Sequence, residues 1–216
     1  GWNAYAPLST QGATLGKQMF VLAFITAGFS SIFSGVNFLA TFVTMRAPGM
    51  GYRRVPIFTW SVVGAAIIQI MGTSVVAASL IMVAFDRMLG TSFFNPALGG
   101  NALLYQHLFW FYSHPAVYIM ILPAFGAVLE ILPVYARKPL FAYHLVAASF
   151  MAIVALSFVV WAHHMFTSGM WMLLKLPFMI NTELISIPTG MVFLAALGTL
   201  WRSRMRLDSP MLWALA

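Results

Sequence analysis

Long uncharged stretches, interrupted by a few charged residues, dominate this chain of 216 residues. Four of them exceed the roughly 20 apolar residues that a helix needs to cross a lipid bilayer. They lie between Lys17 and Arg46, between Arg54 and Asp86, between Arg87 and Glu130, and between Lys138 and Lys175. A fifth apolar stretch, residues 172–201, contains Glu183. The pattern predicts an all-α protein, a polytopic bundle of transmembrane helices.

The Gly, Pro and Asn residues within 90–101 mark a loop, so the third helix is expected to begin close to Leu103. We expect five complete spans in a single membrane domain that covers residues 1–216. The spans are predicted at about 14–45, 56–84, 102–134, 140–166 and 172–201, with the start of another helix at 208–216. The first residues lack a basic region and a cleavage site, so no signal peptide is expected. The first residue, Gly, and the incomplete last helix indicate a fragment.

The charged residues are few and mostly basic. The chain is 62% hydrophobic and 7% charged with a net charge of +7, which excludes a soluble globule and a nucleic-acid-binding patch. If five helices alternate, eight basic residues share one side of the membrane, and the positive-inside rule places that side in the cytoplasm. These residues are Arg46, Arg53, Arg54, Arg137, Lys138, Arg202, Arg204 and Arg206. The N-terminus is then expected on the outside. The partner implied by the composition is the lipid membrane.

Two polar clusters lie within the predicted spans, where ionisable side chains are costly. His114 and Tyr118 are four residues apart and therefore share one helix face. His163 and His164 are adjacent and diverge by about 100° on a regular helix, so they meet one ion only at a loosened helix end. Gly169 and the loop nearby supply such an end. The chain has no cysteine, and three neutral imidazoles suit copper or zinc, while a neighbouring phenol favours redox chemistry.

Other interpretations of these residues remain open. A single histidine in a membrane helix is about as often a helix–helix hydrogen-bonding residue as a metal ligand. We interpret His107 and His144 as interfacial or structural. A function from another class is a proton-coupled transporter or channel without a redox centre, in which the other three histidines and Glu183 form a relay.

Four segments carry a resemblance to a known family. They are SSIFSGVNFLATFVTMRAPGM (30–50), YQHLFWFYSHPAVYIMILPAFG (105–126), VVWAHHMFTSGM (159–170) and IPTG (187–190). Together they resemble the central part of subunit I of the haem-copper oxygen reductases, a twelve-helix protein, in the A-type subgroup with a YSHP motif. The resemblance implies an enzyme of the cytochrome c oxidase type that reduces dioxygen to water and translocates protons. Nitric oxide reduction is an alternative within the superfamily, and Tyr118 favours oxygen chemistry.

The resemblance also implies roles for individual residues. His114, His163 and His164 are expected to bind the active-site copper, CuB. Tyr118 is expected to be crosslinked to His114 and to supply an electron and a proton, so both are catalytic candidates. Trp110 and Trp161 match tryptophans around that site and are cofactor-binding candidates. Proton-path candidates by resemblance are Ser30, Ser31, Asn37 and Thr189.

Cofactors and partners follow from the same resemblance. A high-spin haem of a3 or o3 type and a low-spin haem are implied, with ligands outside this chain. The implied partners are subunits II and III, and cytochrome c or quinol as the electron donor. The implied location is the bacterial cytoplasmic membrane.

The chain departs from the family pattern at two proton-transfer positions. Ala116 stands where many members have glutamate, and Tyr112 and Ser113 are the expected replacement. Val192 stands where many members have lysine. Glu183, Ser186 and Thr189 fall on one helical stripe, and we hypothesise that Glu183 is the alternative protonatable group. The competing interpretation is an interfacial salt bridge with Lys175.

Overall fold

The computed structural model describes residues 2–12 and 14–216 and confirms the all-α prediction. The helices are α1 (Leu15–Thr44), α2 (Ile57–Met88), α3 (Ala102–Ala136), α4 (Tyr143–Ser157), α5 (Met172–Leu184), α6 (Ser186–Leu200) and α7 (Ser209–Leu215). Short 3₁₀ turns lie at Tyr52–Arg54, Pro96–Leu98 and Trp161–Met165. The chain is a helical multi-pass membrane protein.

Four stretches are long and apolar enough to cross a membrane, namely α1, α2, α3 and the combined stretch Met172–Leu200. Residue Ile185 alone separates α5 from α6, so these two helices occupy the region predicted as one span. The predicted span 140–166 contains a shorter helix, because α4 ends at Ser157 and the 3₁₀ turn Trp161–Met165 follows it. The chain therefore leaves regular helix just before the paired histidines.

Helices α1 and α2 pack through a stripe of small residues. The buried residues of α1 are Val21, Gly28 and Gly35, which recur every seven positions. A Cβ atom on Gly35 would lie only 3.0 Å from the carbonyl oxygen of Ala66 in α2. Small residues of this kind let two membrane helices approach closely. The rest of α1 is largely exposed in this chain.

Helix α2 lies at the centre of the fold, against α1, α3 and α4. One apolar cluster, which we call the inner core, joins α2, α3, α4, α6 and α7. Its buried members are Ile57, Ile68, Leu122, Leu129, Leu132, Val146, Phe150, Ile153, Val154, Ile185, Val192, Ala195 and Met211. A second cluster joins the N-terminal segment to the first part of α1, the last part of α2 and the first part of α3.

Asp86 and Arg87, at the end of α2, bind two neighbouring segments of the chain. The Asp86 carboxylate accepts backbone N–H bonds from Phe93 at 2.9 Å and Phe94 at 3.0 Å. The Arg87 guanidinium donates to the carbonyl oxygens of Ser9 at 2.7 Å and Gly12 at 3.0 Å. The Asp86 bonds fix the loop that leads to α3, and the Arg87 bonds fix the N-terminal segment beside it.

Candidate metal centre

Helix α3 places one histidine and one tyrosine at its packed face. His114 is buried, with 6% of its surface exposed. Tyr118 lies one turn further along, and the two ring centroids are 5.1 Å apart at an interplanar angle of 61°. The helix continues through Pro115, which lacks an N–H and follows the histidine directly.

The 3₁₀ turn Trp161–Met165 presents the paired histidines together. The centroids of the His163 and His164 rings are 4.3 Å apart, which a regular helix with its divergence of about 100° does not favour. Ala162 and Met165 are fully buried and anchor the turn in a small apolar cluster. The departure from α-helix is therefore what brings both imidazoles to one place.

The three imidazoles converge on one point. The ring centroids of His114 and His163 are 4.5 Å apart, and those of His114 and His164 are 5.4 Å apart. One ligand atom from each of the three residues lies within 4.8 Å of the others. Metal–imidazole bonds of about 2.0–2.1 Å need nitrogens separated by only a few ångströms, so this cluster is compatible with a single ion.

Thr182 of α5 determines the orientation of His163. Its Oγ1 lies 2.8 Å from His163 Nδ1, and the Thr182 hydroxyl donates to the carbonyl oxygen of Phe178 at 2.6 Å. The threonine proton is therefore already engaged, so His163 Nδ1–H is the donor to Thr182. This tautomer leaves the lone pair of His163 Nε2 free for a metal.

The other two imidazoles face each other. His114 Nδ1 lies 3.2 Å from His164 Nε2. The ring of His164, which is exposed in this chain, stacks on Trp110 with centroids 3.8 Å apart and planes 7° apart. His114 Nε2 is buried and has no hydrogen-bond partner among the described residues. The candidate ligand atoms are therefore His114 Nδ1, His163 Nε2 and His164 Nε2.

Trp110 contacts the histidine cluster directly, whereas Trp161 begins the turn that bears the histidine pair and packs against other aromatic rings. Trp110 donates its Nε1–H to the hydroxyl of Tyr5 in the N-terminal segment. Trp161 donates its Nε1–H to His107 Nδ1 at 3.3 Å, which gives His107 a structural role. The Trp161 ring also packs edge-on against Phe178, with centroids 4.8 Å apart.

The first set of proton-path candidates is distributed over two helices. Ser31 is half-buried, whereas Ser30 and Asn37 lie at exposed positions of α1. Tyr112 is half-buried and Ser113 is buried on α3. Ser113 Oγ has no hydrogen-bond partner among the described residues.

The second set does not form a hydrogen-bonded chain to the histidines. Ser186 donates to the carbonyl oxygen of Glu183 at 2.6 Å, and Thr189 donates to that of Ile185 at 2.9 Å. The Glu183 side chain is exposed and lines a cavity that Thr182 also lines. No ion pair joins Glu183 to Lys175 in the described part of the chain, where the one salt bridge links Arg206 and Asp208.

Thr182 and Tyr5 are neighbours of the site that were not predicted from the sequence. Thr182 directly precedes Glu183, and a hydroxyl one residue from a proposed polar stripe was a usable signal. Tyr5 contacts Trp110 across 105 positions of sequence, and no local pattern indicates such a pairing.

Comparison with known proteins covers the whole chain. A family profile described as cytochrome c and quinol oxidase polypeptide I matches residues 1–216. Cytochrome c oxidase subunit 1 of Thermostichus vulcanus is 46% identical over 215 residues, which is 100% of this chain and 39% of that protein. The corresponding subunit of Synechocystis sp. is 47% identical over 214 residues, covering 99% of this chain and 39% of the relative.

A less similar relative carries the same name as these two. Cytochrome c oxidase subunit 1 of Bacillus subtilis is 42% identical over 216 residues, which is 100% of this chain and 35% of that protein. The chain thus spans well under half the length of the curated relatives it matches. On the full-length match of the family profile and these identities, the chain belongs to the family of cytochrome c and quinol oxidase polypeptide I.

Proposed function

We propose that this chain is the copper-holding part of subunit I of a haem-copper oxygen reductase. The complete enzyme would reduce dioxygen to water with electrons from cytochrome c or quinol and translocate protons. The observation that carries this proposal is the cluster of His114, His163 and His164 beside Tyr118. The relatives are named cytochrome c oxidase subunit 1, which favours the oxidase over a proton-coupled transporter without a redox centre.

The donor set fits copper. Three neutral imidazoles are typical ligands of copper and zinc, and the chain offers no thiolate. In the proposed arrangement the ligand atoms are His114 Nδ1, His163 Nε2 and His164 Nε2. A copper ion bound there would supply a centre that exchanges single electrons.

Side chains around the ligands hold the rings in place. Thr182 fixes the tautomer and plane of His163, while Trp110 fixes the plane of His164 by stacking. His107 fixes Trp161, the first residue of the turn that bears the histidine pair. These contacts keep the ligand nitrogens close without the reorganisation that flexible side chains would require.

Tyr118 is the proposed source of a proton and an electron. Its ring lies next to His114, whose buried Nε2 has no partner in the described part of the chain and is the proposed crosslinking atom. This nitrogen is not one of the proposed ligand atoms, so it is available to bond a carbon of the Tyr118 ring. That bond would replace the N–H and a ring C–H in a two-electron oxidation, with dioxygen as the oxidant. The O–H bond of Tyr118 would give its hydrogen to the oxygen substrate and would be restored by proton and electron delivery.

One proposed proton path uses the hydroxyls of α1 and α3. Ser30, Ser31 and Asn37 would conduct protons along α1 towards Tyr112 and Ser113, which directly precede His114. Tyr112 and Ser113 would substitute for the missing carboxylate at Ala116. A phenol and an alcohol both donate and accept hydrogen bonds, so they transfer protons without changing charge.

A second proposed path uses Glu183, with Ser186 and Thr189 on the same stripe. Glu183 is an acid within a membrane-spanning stretch, where such groups usually serve proton or ion movement. The cavity that it lines also contacts Thr182, the partner of His163. We propose that this carboxylate replaces the lysine absent at Val192.

The remaining cofactors and partners are proposals from the family. Both haems, one high-spin of a3 or o3 type and one low-spin, would take their ligands from segments outside this chain. Subunits II and III would complete the enzyme, and the proposed location is the bacterial cytoplasmic membrane. The eight basic residues on one side of the bundle support an orientation with that side in the cytoplasm.

Purification of the full-length protein with its partner subunits tests the proposed function. Optical spectra, copper analysis and oxygen consumption should show haem, copper and reduction of dioxygen. A preparation that lacks both haem and copper would contradict the proposal and favour a transporter. Turnover of nitric oxide in place of dioxygen would reassign the substrate.

A further inference from the structure

Thr73 of α2 carries a buried hydroxyl that lacks the backbone hydrogen bond formed by other hydroxyls of this helix. The residue is 2% exposed, and its Oγ1 has no hydrogen-bond partner among the described residues. Other hydroxyls of α2 bond backward to the helix, as Ser74 does to Ile70 at 2.7 Å and Ser79 to Val76 at 2.8 Å. A buried hydroxyl without a partner is unfavourable, so an ordered water molecule is the expected partner.

Thr73 lies where three helices meet. A Cβ atom on Gly28 of α1 would lie 3.4 Å from Thr73 Cγ2, and one on Gly72 would lie 3.2 Å from the Tyr112 ring of α3. Gly72 directly precedes Thr73, so this contact places the Tyr112 ring beside Thr73, whose Oγ1 forms no hydrogen bond to it. This arrangement suits a shared water better than a direct bond.

Ser31 of α1 lies at the same depth. Gly28 faces Thr73 and Ala77, whereas Gly35 faces Ala66 and Gln69, so α1 and α2 run antiparallel here. Ser31 lies between these two glycines on nearly the same helical stripe, which places it roughly level with Gly72 and Thr73. The half-buried hydroxyl of Ser31 is therefore on the α2 side of α1.

Ser113 adds a second buried hydroxyl without a partner. Its Oγ has none among the described residues, and it follows Tyr112 directly on α3. Internal waters usually make about three hydrogen bonds to polar groups that would otherwise be unsatisfied. The junction of α1, α2 and α3 thus offers a water several hydroxyl partners.

We propose that Thr73 binds an internal water and relays protons from Ser31 to Tyr112, as the α2 member of the first proton path. The inference rests on the proposed function and adds a residue that the sequence resemblance did not assign. In the relay, the Thr73 hydroxyl accepts a proton from one neighbour as it gives its own to the next. Thr73 therefore ends unchanged, and no group needs to ionise permanently.

Substitution of Thr73 in the full-length enzyme with its partner subunits tests the proposal. Thr73→Val keeps the shape and removes the hydroxyl, and we expect about tenfold slower oxygen consumption with a larger solvent deuterium isotope effect. Thr73→Ser restores the hydroxyl and should restore both values. Ser79→Ala removes a buried α2 hydroxyl that is already bonded to the helix, and it should resemble the unmodified enzyme.

The outcomes separate this inference from the proposed function. Unmodified enzyme without haem, copper or oxygen reduction would contradict the function itself. Wild-type turnover and isotope effect in Thr73→Val, or equal slowing in Thr73→Ser, would overturn the role of Thr73 alone. If Thr73→Val does not assemble, a high-resolution map of the unmodified enzyme decides: a water on Thr73 Oγ1 supports the relay, and a hydroxyl bonded to a backbone carbonyl overturns it.

Discussion

Two interfaces of α3 differ in how their buried hydroxyls are hydrogen-bonded. The junction of α1, α2 and α3 contains the buried hydroxyls of Thr73 and Ser113 and the half-buried phenol of Tyr112. The inner core on the other side contains Leu129 and Val192, both buried, and Tyr118 packs against it. Within the described residues, the unpartnered buried hydroxyls of α2 and α3 lie at this junction, whereas Ser61, Ser157 and Thr199 on the helices of the inner core each bond to a backbone carbonyl.

The difference has a physical basis. A buried hydroxyl without a protein partner persists when water satisfies it, so the junction is expected to be hydrated. An apolar interface such as the inner core offers a water no partners and excludes it. Protons need a continuous chain of hydrogen-bonding groups. We therefore expect more protons to be transferred through the α1–α3 path, which ends at Tyr112 and Ser113, than through the Glu183 path.

Removal of the Tyr112 hydroxyl should give the largest effect on proton delivery. We expect Tyr112→Phe to lower oxygen consumption about 100-fold in the full-length enzyme, because the relay loses the group before Ser113 and His114. Haem and copper contents should stay normal. Tyr52→Phe is the matched control, since Tyr52 is exposed at the other end of the bundle. Equal oxygen consumption in Tyr112→Phe and Tyr52→Phe would contradict the role of the α1–α2–α3 junction in proton delivery.

Removal of the Thr182 hydroxyl should weaken copper binding rather than proton delivery. We expect Thr182→Val to reduce copper affinity by about 10–100-fold, because His163 loses the partner that fixes its tautomer. Copper retained during dialysis against a chelator measures the effect. Thr182→Ser should restore retention, and full retention in the valine variant would contradict the assigned role.

Neutralisation of Glu183 should have a smaller effect than loss of Tyr112. We expect Glu183→Gln to slow reduction of the copper–haem centre about threefold, as measured by stopped-flow absorbance. Unchanged kinetics would remove Glu183 from the proton paths. A larger decrease in rate in Glu183→Gln than in Tyr112→Phe would make the Glu183 path the main route of proton delivery.

Addition of a single hydroxyl to the inner core should change activity least. We expect Val192→Thr to keep turnover within about twofold, because an isolated hydroxyl bonds back to its own helix and does not create a path. Stability should fall by about 1 kcal/mol, visible as a lower thermal unfolding temperature. Faster turnover would show that the inner core is already hydrated.

The fold was largely predictable because the bilayer imposes long apolar helices. The cluster of His114, His163 and His164 was anticipated as well, since their motifs place them in the same half of the membrane. The 3₁₀ turn at Trp161–Met165, which brings His163 and His164 together, was not predicted, because it depends on the packing of Ala162 and Met165.

Other features escaped prediction because they depend on tertiary contacts. The unpartnered hydroxyl of Thr73 is recognisable only once α1 and α3 are packed on α2. The stripe of Glu183, Ser186 and Thr189 was predicted from helical spacing, yet both hydroxyls bond to backbone carbonyls instead of to the acid. Spacing identifies a shared face and leaves the hydrogen bonds undetermined.

Copper content of histidine variants tests the central claim most directly. In the full-length enzyme, His164→Ala should lose the copper while the haem spectrum persists, because one of three ligands is removed. His144→Ala, at an exposed position of α4, should keep the copper. Retention of copper in His164→Ala, or equal loss in both variants, would contradict a copper centre built from His114, His163 and His164.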